Sequence, residues 1–446
     1  MARTPLVKRA HALPPGDADG RGAALEPILE RVGDASLVLL GEASHGTDEF
    51  YRTRGTLTRR LIDERGFDAV VAEADWPDAW RVHRFATDAD AADATAEAAL
   101  GDFRRFPRWM WRNEAVRSFL EELRTLNAAR PASARAGFFG MDLYGMHASM
   151  EKVLAYLEEV DPEAAARARA RYDCIDDVGP EPQRYGYLAG LGLTPGCEEE
   201  VLAQLVELRE VAAREVQTDG LRAEDERFFV EQNARAVASA ERYYRAMFER
   251  GVSTWNLRDV HMAETVQAIR SHLSRRNSRP AKLVVWAHNS HLGDARFTER
   301  RAFGEVNVGQ LLREEAGRDS VIVGFTTHRG SVSAASGWDR PVRRRRVRPS
   351  LEGSWEHLLH EVGLPRFALV MGPEEAEALP GERLNRAIGV IYRPETERAS
   401  HYFHSELPRQ FDVVIHEDET QAVAPLDPPR GWLAEDELPE TYPHGV

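Results

Sequence analysis

The stretch SLVLLGEASHGTDEFYRTRGTLTRRLIDERGFDAVVA, residues 36–72, decides the fold. Ser36 to Gly41 is a short continuous apolar run, the pattern of a strand buried on both faces. A polar loop from Glu42 to Thr47 follows. Asp48 to Arg65 then carries Phe50, Leu57, Leu61 and Ile62 at helical spacing, and Gly66 ends that helix. Phe67 to Ala72 is a second buried strand. A strand–helix–strand unit of this length permits a right-handed parallel crossover.

Working outward, the same alternation recurs. Trp76 to Ala86 reads as a helix with Pro77 in its first turn. Asp88 to Ala99 is only weakly amphipathic, and Glu114 to Ala129 is a helix. Ala136 to Met141 is a third strand, ending at Asp142. Met146 to Glu159 is helical, and Asp161–Pro162 opens the next helix. Glu198 to Gln217, Ala223 to Arg250 and Leu257 to Arg276 are three long helical segments. Ala281 to Trp286 returns to a buried strand. Ser320 to Phe325, Phe367 to Val370, Ala387 to Ile391 and Phe411 to Ile415 are further candidates, with a helix at Asn307 to Glu315. The expectation is an α/β fold with a mainly parallel central sheet flanked by helices. Residues 1–24 read as a flexible lead-in, with Arg3, Lys8 and Arg9 but no apolar block behind them, and so no secretory signal. Residues 25–446 read as one α/β hydrolase-like domain, with 146–277 a mainly helical insertion or cap.

Of the 446 residues, 73 are acidic and 58 basic, a net charge of −15. Such a surface repels nucleic acid and anionic lipid. No apolar run has the length of a membrane span. The expected location is the cytoplasm, with no nucleic-acid or membrane partner; the oligomeric state is left open. Arg343 to Arg348 (RRRRVR) is read as a solvated loop pairing with surface carboxylates. Cys174 and Cys197, neither in a CxxC, are read as ordinary thiols.

Any chemistry therefore rests on His, Arg, carboxylates and hydroxyls. In open parallel sheets, ligands bind beyond the carboxyl ends of the strands. The first strand leads into Glu42 and His45, the second into Glu73 and Asp75, the third into Asp142, and the fourth into His288 and His291. A carboxylate beside an imidazole fixes its tautomer and makes it a general base for water, which suits Glu42 and His45. Gly41 and Gly46 are expected to supply unusual backbone angles there, and Ser44 or Thr47 a helix cap. Glu73 follows an apolar run, so it needs a buried partner, for which Arg54 is a candidate. Tyr144, His147, Arg258, Asp259 and His261 could line the cap side of the cleft, and His401 and His404 could also reach it. No GxSxG elbow and no suitable cysteine are present, so a covalent acyl-enzyme is not indicated.

The strings LGEASHGTDEFYRTR (40–54), VVAEADWP (70–77) and VVWAHNSHL (284–292) resemble, in order, the three signature blocks of the erythromycin esterase family. WNLRDVHMAET (255–265) and IYRPETERASHYFH (391–404) are similar to a large environmental branch of that family. The resemblance implies a mainly parallel α/β core with helical additions. It implies that His45 activates water against an ester or lactone carbonyl, with Glu42 orienting it and Glu73 as second acid. Arg54 matches the arginine of the first helix, and His288 and His291 match the pair that polarises or orients the ester. Asp142, Tyr144 and Arg258 join Arg54 and His291 as candidate substrate contacts.

The leading expectation is a hydrolase of a small-molecule ester or lactone with no cofactor and no metal. A divalent metal on the Glu42, His45, Glu73 and His288 cluster is the alternative, because distant relatives with a similar loop use one. A non-catalytic small-molecule-binding protein is a third reading.

Overall fold

The structure, a computed structural model, describes residues 6, 9–14, 23–88, 91–179, 181–214, 221–379 and 381–432. Six parallel strands form the centre of the sheet: β2 (Leu37–Leu40), β3 (Ala69–Asp75), β4 (Gly137–Asp142), β5 (Leu283–Trp286), β6 (Ser320–Ala334) and β11 (Val413–Thr420). Their spatial order is β11-β6-β2-β5-β3-β4. Two antiparallel strands, β1 (His11–Ala12) and β8 (Arg366–Val370), extend the β11 edge, and β7 (Arg343–Val347) folds back on β6. A separate antiparallel pair joins β9 (Arg383–Arg386) to β10 (Tyr402–Ser405). The fold is thus a mixed, mostly parallel sheet flanked by many helices.

Burial on both faces explains the unbroken apolar runs. Val38, Leu40, Val284 and Trp286 enter one core and Leu37, Leu39, Leu283 and Val285 the other, as a period of two requires. Registry matters more for function. Leu40 pairs with Trp286, and Trp286 with Ala72. The chain therefore leaves β2, β5 and β3 from one row, three adjacent strands about 10 Å across. From β2 the chain crosses to β3 on one side, and from β5 it crosses over β2 to β6 on the other. The crevice between β2 and β5 is thus a topological switch point.

The helix Asp48–Arg65 has the expected bounds, closed by Gly66 at φ +68°. Other elements differ from expectation. Within 88–99 only Ala96–Ala99 is α-helical, with residues 89–90 outside the described set. β6 runs nine residues beyond Phe325 because β11 pairs with it as far as Gly330 and β7 from Gly330 to Ala334. Its polar residues are satisfied across the ladder, as in the 2.9 Å bond between Thr326 Oγ1 and His416 Nδ1. Ala387–Ile391 is not a strand; it drapes over loops and makes only isolated bridges, Ser44 to Ile388 and Ala335 to Ile391. Arg343–Val347 is a strand, not a loop. Arg343 within it and Arg348 just past it bind backbone carbonyls, those of Gly431 at 2.8 Å and Pro394 at 3.0 Å. The described part of the lead-in is docked: Leu6 and Leu13 are buried and His11–Ala12 pairs with β8.

Helices Met146–Val160, Pro162–Asp176, Pro182–Gly190, Glu198–Arg214 and Leu221–Ala246 share an apolar core of their own, including Val153, Leu157, Tyr172, Leu208 and Val237. The helix Thr254–Asn277 differs: its Met262, Val266, Ile269 and Leu273 pack on the sheet. It is a crossover layer rather than part of a cap. Cys174 and Cys197 form a disulfide with Cα atoms 6.1 Å apart, so neither is an ordinary thiol. Their pairing depends on two helices meeting, which the spacing of the cysteines cannot show. Among the described residues, no helix is long and apolar enough to cross a membrane.

Candidate active site

A cavity of about 970 Å³ opens over the carboxyl ends of β2, β5 and β3, lined by His45, Glu73, Asp142, Tyr144, Arg258, His288 and His291 among others. That is near the upper end of the usual range for small-molecule sites.

His45 and Glu42 share one loop. The Nδ1 of His45 lies 2.8 Å from Glu42 Oε1, and both side chains are buried. The other Glu42 oxygen lies 2.6 Å from Arg54 Nη2. Arg54 is fully buried, its guanidinium over the rings of Tyr51 and Trp286 at 4.6 and 5.0 Å. It therefore sits behind Glu42 and outside the cavity wall. Its expected partner Glu73, and its expected contact with substrate, both give way to a contact with Glu42.

The loop is held by its backbone. His45 N–H donates to the Ile388 carbonyl at 3.3 Å, and the Gly46 carbonyl accepts from Ser333 N–H at 3.0 Å and Val423 N–H at 2.9 Å. Neither Gly41 nor Gly46 has a positive φ, contrary to expectation. Close approach explains them instead: a Cβ on Gly46 would lie 1.9 Å from the Ser333 carbonyl oxygen, and one on Gly41 2.1 Å from Asn289 Oδ1. No side-chain cap forms at Thr47, whose hydroxyl bonds that of Ser44.

Glu73 ends its apolar run fully surrounded. It accepts from Arg258 Nη2 at 2.8 Å and from the His288 backbone N–H at 2.9 Å, and lies 3.4 Å from His291 Nε2. Burial alone would raise its pKa, but His291, Arg258, His45 and the His288 N–H together hold it well below the ordinary carboxylate range. Arg258 also forks onto Asp142, at 3.0 Å to Oδ1 and 2.6 Å to Oδ2.

The two histidines after β5 have different fates. His288 packs 4.9 Å from the His45 ring, and its Nδ1 accepts from Ser290 N–H at 3.2 Å. Burial, with His45 beside it, pushes its pKa well below the usual value, and with Nδ1 an acceptor the neutral ring would carry its hydrogen on Nε2. His291 turns toward Asp259, whose carboxylate oxygens lie 2.9 and 3.0 Å from its Nδ1. Burial lowers the His291 pKa, but Asp259 and Glu73 outweigh it and raise the value.

Tyr144 lines the cavity, its hydroxyl 3.1 Å from that of Tyr243, and His401 lines it as well. His147 lies 3.7 Å from Asp176, His261 is buried elsewhere, and His404 is exposed beside Glu299; none of the three lines the cavity. The sequence reading missed the wall formed by FRRFPRWMW (103–111), whose alternation of Arg and aromatic residues was the available signal. It also missed Asp78 on the wall, pushed up to about 8 by burial and by Asp75.

Among the described residues, no three His, Cys, Asp or Glu side chains gather as a metal-binding group. The bonding explains this: Glu42 is committed to His45 and Arg54, and Glu73 to Arg258 and the His288 N–H.

Known proteins extend this picture. The erythromycin esterase family model matches residues 62–420, a span that begins after the first quoted string and includes the other two. A type II erythromycin esterase of Escherichia coli is 23% identical over 401 residues, covering 84% of this chain and 90% of that protein. Among solved structures, a succinoglycan biosynthesis protein superposes with a TM-score of 0.73 at 20% identity, covering 95% of this chain and 98% of that one. An erythromycin esterase mutant in its open conformation superposes at 0.63 and 17% identity, covering 91% and 95%. At these identities the structural likenesses speak for the fold alone. The sequence match is broader in consequence: running over most of the 446 residues, it means that the chain belongs to the erythromycin esterase family.

Proposed function

We propose that the protein hydrolyses esters or lactones, with His45 as general base and no metal. The supporting observation is the 2.8 Å bond from His45 Nδ1 to Glu42, which leaves Nε2 of a cavity-lining imidazole to take a proton from water. The hydroxide adds to the carbonyl carbon. The tetrahedral oxyanion collapses, the acyl–oxygen bond breaks, and His45 returns its proton to the departing alkoxide. His288, neutral with its hydrogen on Nε2, is the donor we assign to the oxyanion. Arg258 fixes Glu73 and Asp142 along one wall. The chemistry names the substrate class only; the cavity volume admits a large small molecule.

The test is a screen of purified protein against macrolides, simple esters and lactones, read by mass as the addition of one water, with His45→Ala alongside. Turnover should fall about 10²–10⁴-fold in the variant, at a stability cost of about 1–3 kcal/mol for leaving a buried Glu42 oxygen without its partner. A variant that keeps wild-type turnover would sink the assignment. Turnover should survive exhaustive chelation; loss on chelation and recovery with a divalent ion would favour the metal reading. Tight ligand binding without product would mean a binding protein.

A further inference from the structure

Asp259 lies outside the cavity wall, fully buried behind His291. Both of its oxygens face His291 Nδ1, and Oδ1 also accepts from Val308 N–H at 3.1 Å, at the N-terminus of the helix Val308–Ala316. Burial raises the Asp259 pKa, while His291, Arg258 and the Val308 N–H at the helix end oppose it and favour the carboxylate form. Nδ1 must then carry the ring proton. The other ring nitrogen is aimed inward: Nε2 lies 3.1 Å from Arg258 Nη1 and 3.4 Å from Glu73 Oε1. The ring cannot turn freely, because Trp255 stacks on it with centroids 4.5 Å apart and planes 8° apart. Trp255 is itself fixed by a 2.9 Å bond from Nε1 to the Val306 carbonyl.

We propose that Asp259 is a positioning residue: by holding the proton on His291 Nδ1 it keeps Nε2 directed at the Arg258–Glu73 pair, and so fixes that pair at the cavity wall. His291 on this view is a strut within the protein and not a ligand of the substrate. The chain of contacts runs from Asp259 through His291 to Arg258 and Glu73, and through the Arg258 fork to Asp142. Without the carboxylate, only the Arg258 N–H opposite Nε2 is left to select which ring nitrogen is protonated. A hydrogen on Nε2 alone would then meet the Arg258 N–H, donor against donor. The inference rests on the hydrolase reading for its kinetic consequence, but its geometric content can be measured without any substrate.

The experiment is nitrogen NMR on ring-labelled histidine in the full-length protein, with His291 assigned by His291→Gln, and with Asp259→Asn and Asp259→Glu beside wild type. Wild type should show His291 protonated at Nδ1 and bonded strongly there. Asp259→Asn should lose that signature, with kcat down roughly 10- to 100-fold and KM within about threefold; Asp259→Glu, which keeps the charge, should recover part of both. Wild-type His291 with its proton only on Nε2 would overturn the proposal, even if Asp259→Asn cannot be folded. So would Asp259→Asn with an unchanged His291 signal, or with an altered signal but kcat within threefold of wild type. If the NMR results hold but the wild-type protein turns over no ester or lactone, the hydrolase reading falls and the tautomer assignment stands.

Discussion

Two imidazole–carboxylate pairs stand at the cavity, and they are built differently. Glu42 and His45 are three residues apart in a single loop, joined at 2.8 Å, with Arg54 from the next helix behind the carboxylate. Asp259 and His291 are 32 residues apart, on a long helix and on the loop after β5, joined at 2.9 Å. The first pair is local and leaves its second ring nitrogen for the cavity. The second is assembled from distant segments and turns its free nitrogen toward Arg258 and Glu73. On the proposed reading, the same two functional groups give a base in one place and a strut in the other. What the second nitrogen faces decides which.

The comparison can be broken most sharply at Glu42. Glu42→Gln removes the partner of Arg54, a cation with 1% of its side chain exposed. An unpaired buried charge costs about 3–5 kcal/mol, so chemical denaturation should show a loss of that order, together with loss of turnover. A loss below about 1 kcal/mol with retained turnover would mean that the local pair is not what holds the loop. Arg258→Lys tests the remote pair. Lysine keeps the charge but cannot reproduce a fork that reaches Asp142, Glu73 and His291. A loss of about 1.5–3 kcal/mol is expected, again by denaturation, and an unchanged midpoint would count against the strut.

The smallest effect is a difference in pH response. The His288 pKa is depressed, so its contribution to stability is present above the unfolded value of about 6.5 and is lost as pH falls below it. The His291 pKa is raised, so its contribution is present below about 6.5 and is lost as pH rises through the folded value. Urea titrations from acid to mildly alkaline pH should show His288→Asn flattening the acid side by about 1.4 kcal/mol per pH unit, and His291→Asn flattening the alkaline side. Parallel curves for the two variants would erase the distinction.

The local half of the site was legible in the sequence because strand ends are. Leu40, Trp286 and Ala72 lie in one row, so Glu42, His288 and Glu73 had to meet once the sheet was recognised. The remote half was legible only as a set of candidates for the cleft, without their pairing, because Arg258 and Asp259 are adjacent in a 24-residue helix whose polar and apolar residues are not cleanly segregated. Which of its faces meets Glu73 is decided by packing on the sheet. Arg54 shows a subtler limit: the need for a buried partner was sound, but spacing could not choose between Glu73 and Glu42. The stretch 387–391 has strand composition yet lies over the His45 loop, where apolar residues are wanted for burial and the backbone bonds are made one at a time.

The grip on Gly46 bears on how the protein comes into being. The carbonyl beside the base is held by Ser333 and Val423, and the next turn by Gln421, whose carbonyl accepts from Asp48 N–H at 2.9 Å. A ribosome that has released residues 1–410 has delivered every side chain lining the cavity, with Ser333 and Ile388, but not Gln421 and Val423, which complete the hold on the His45 loop. A chain cut short of position 421 would carry a complete set of parts with the His45 loop only partly held.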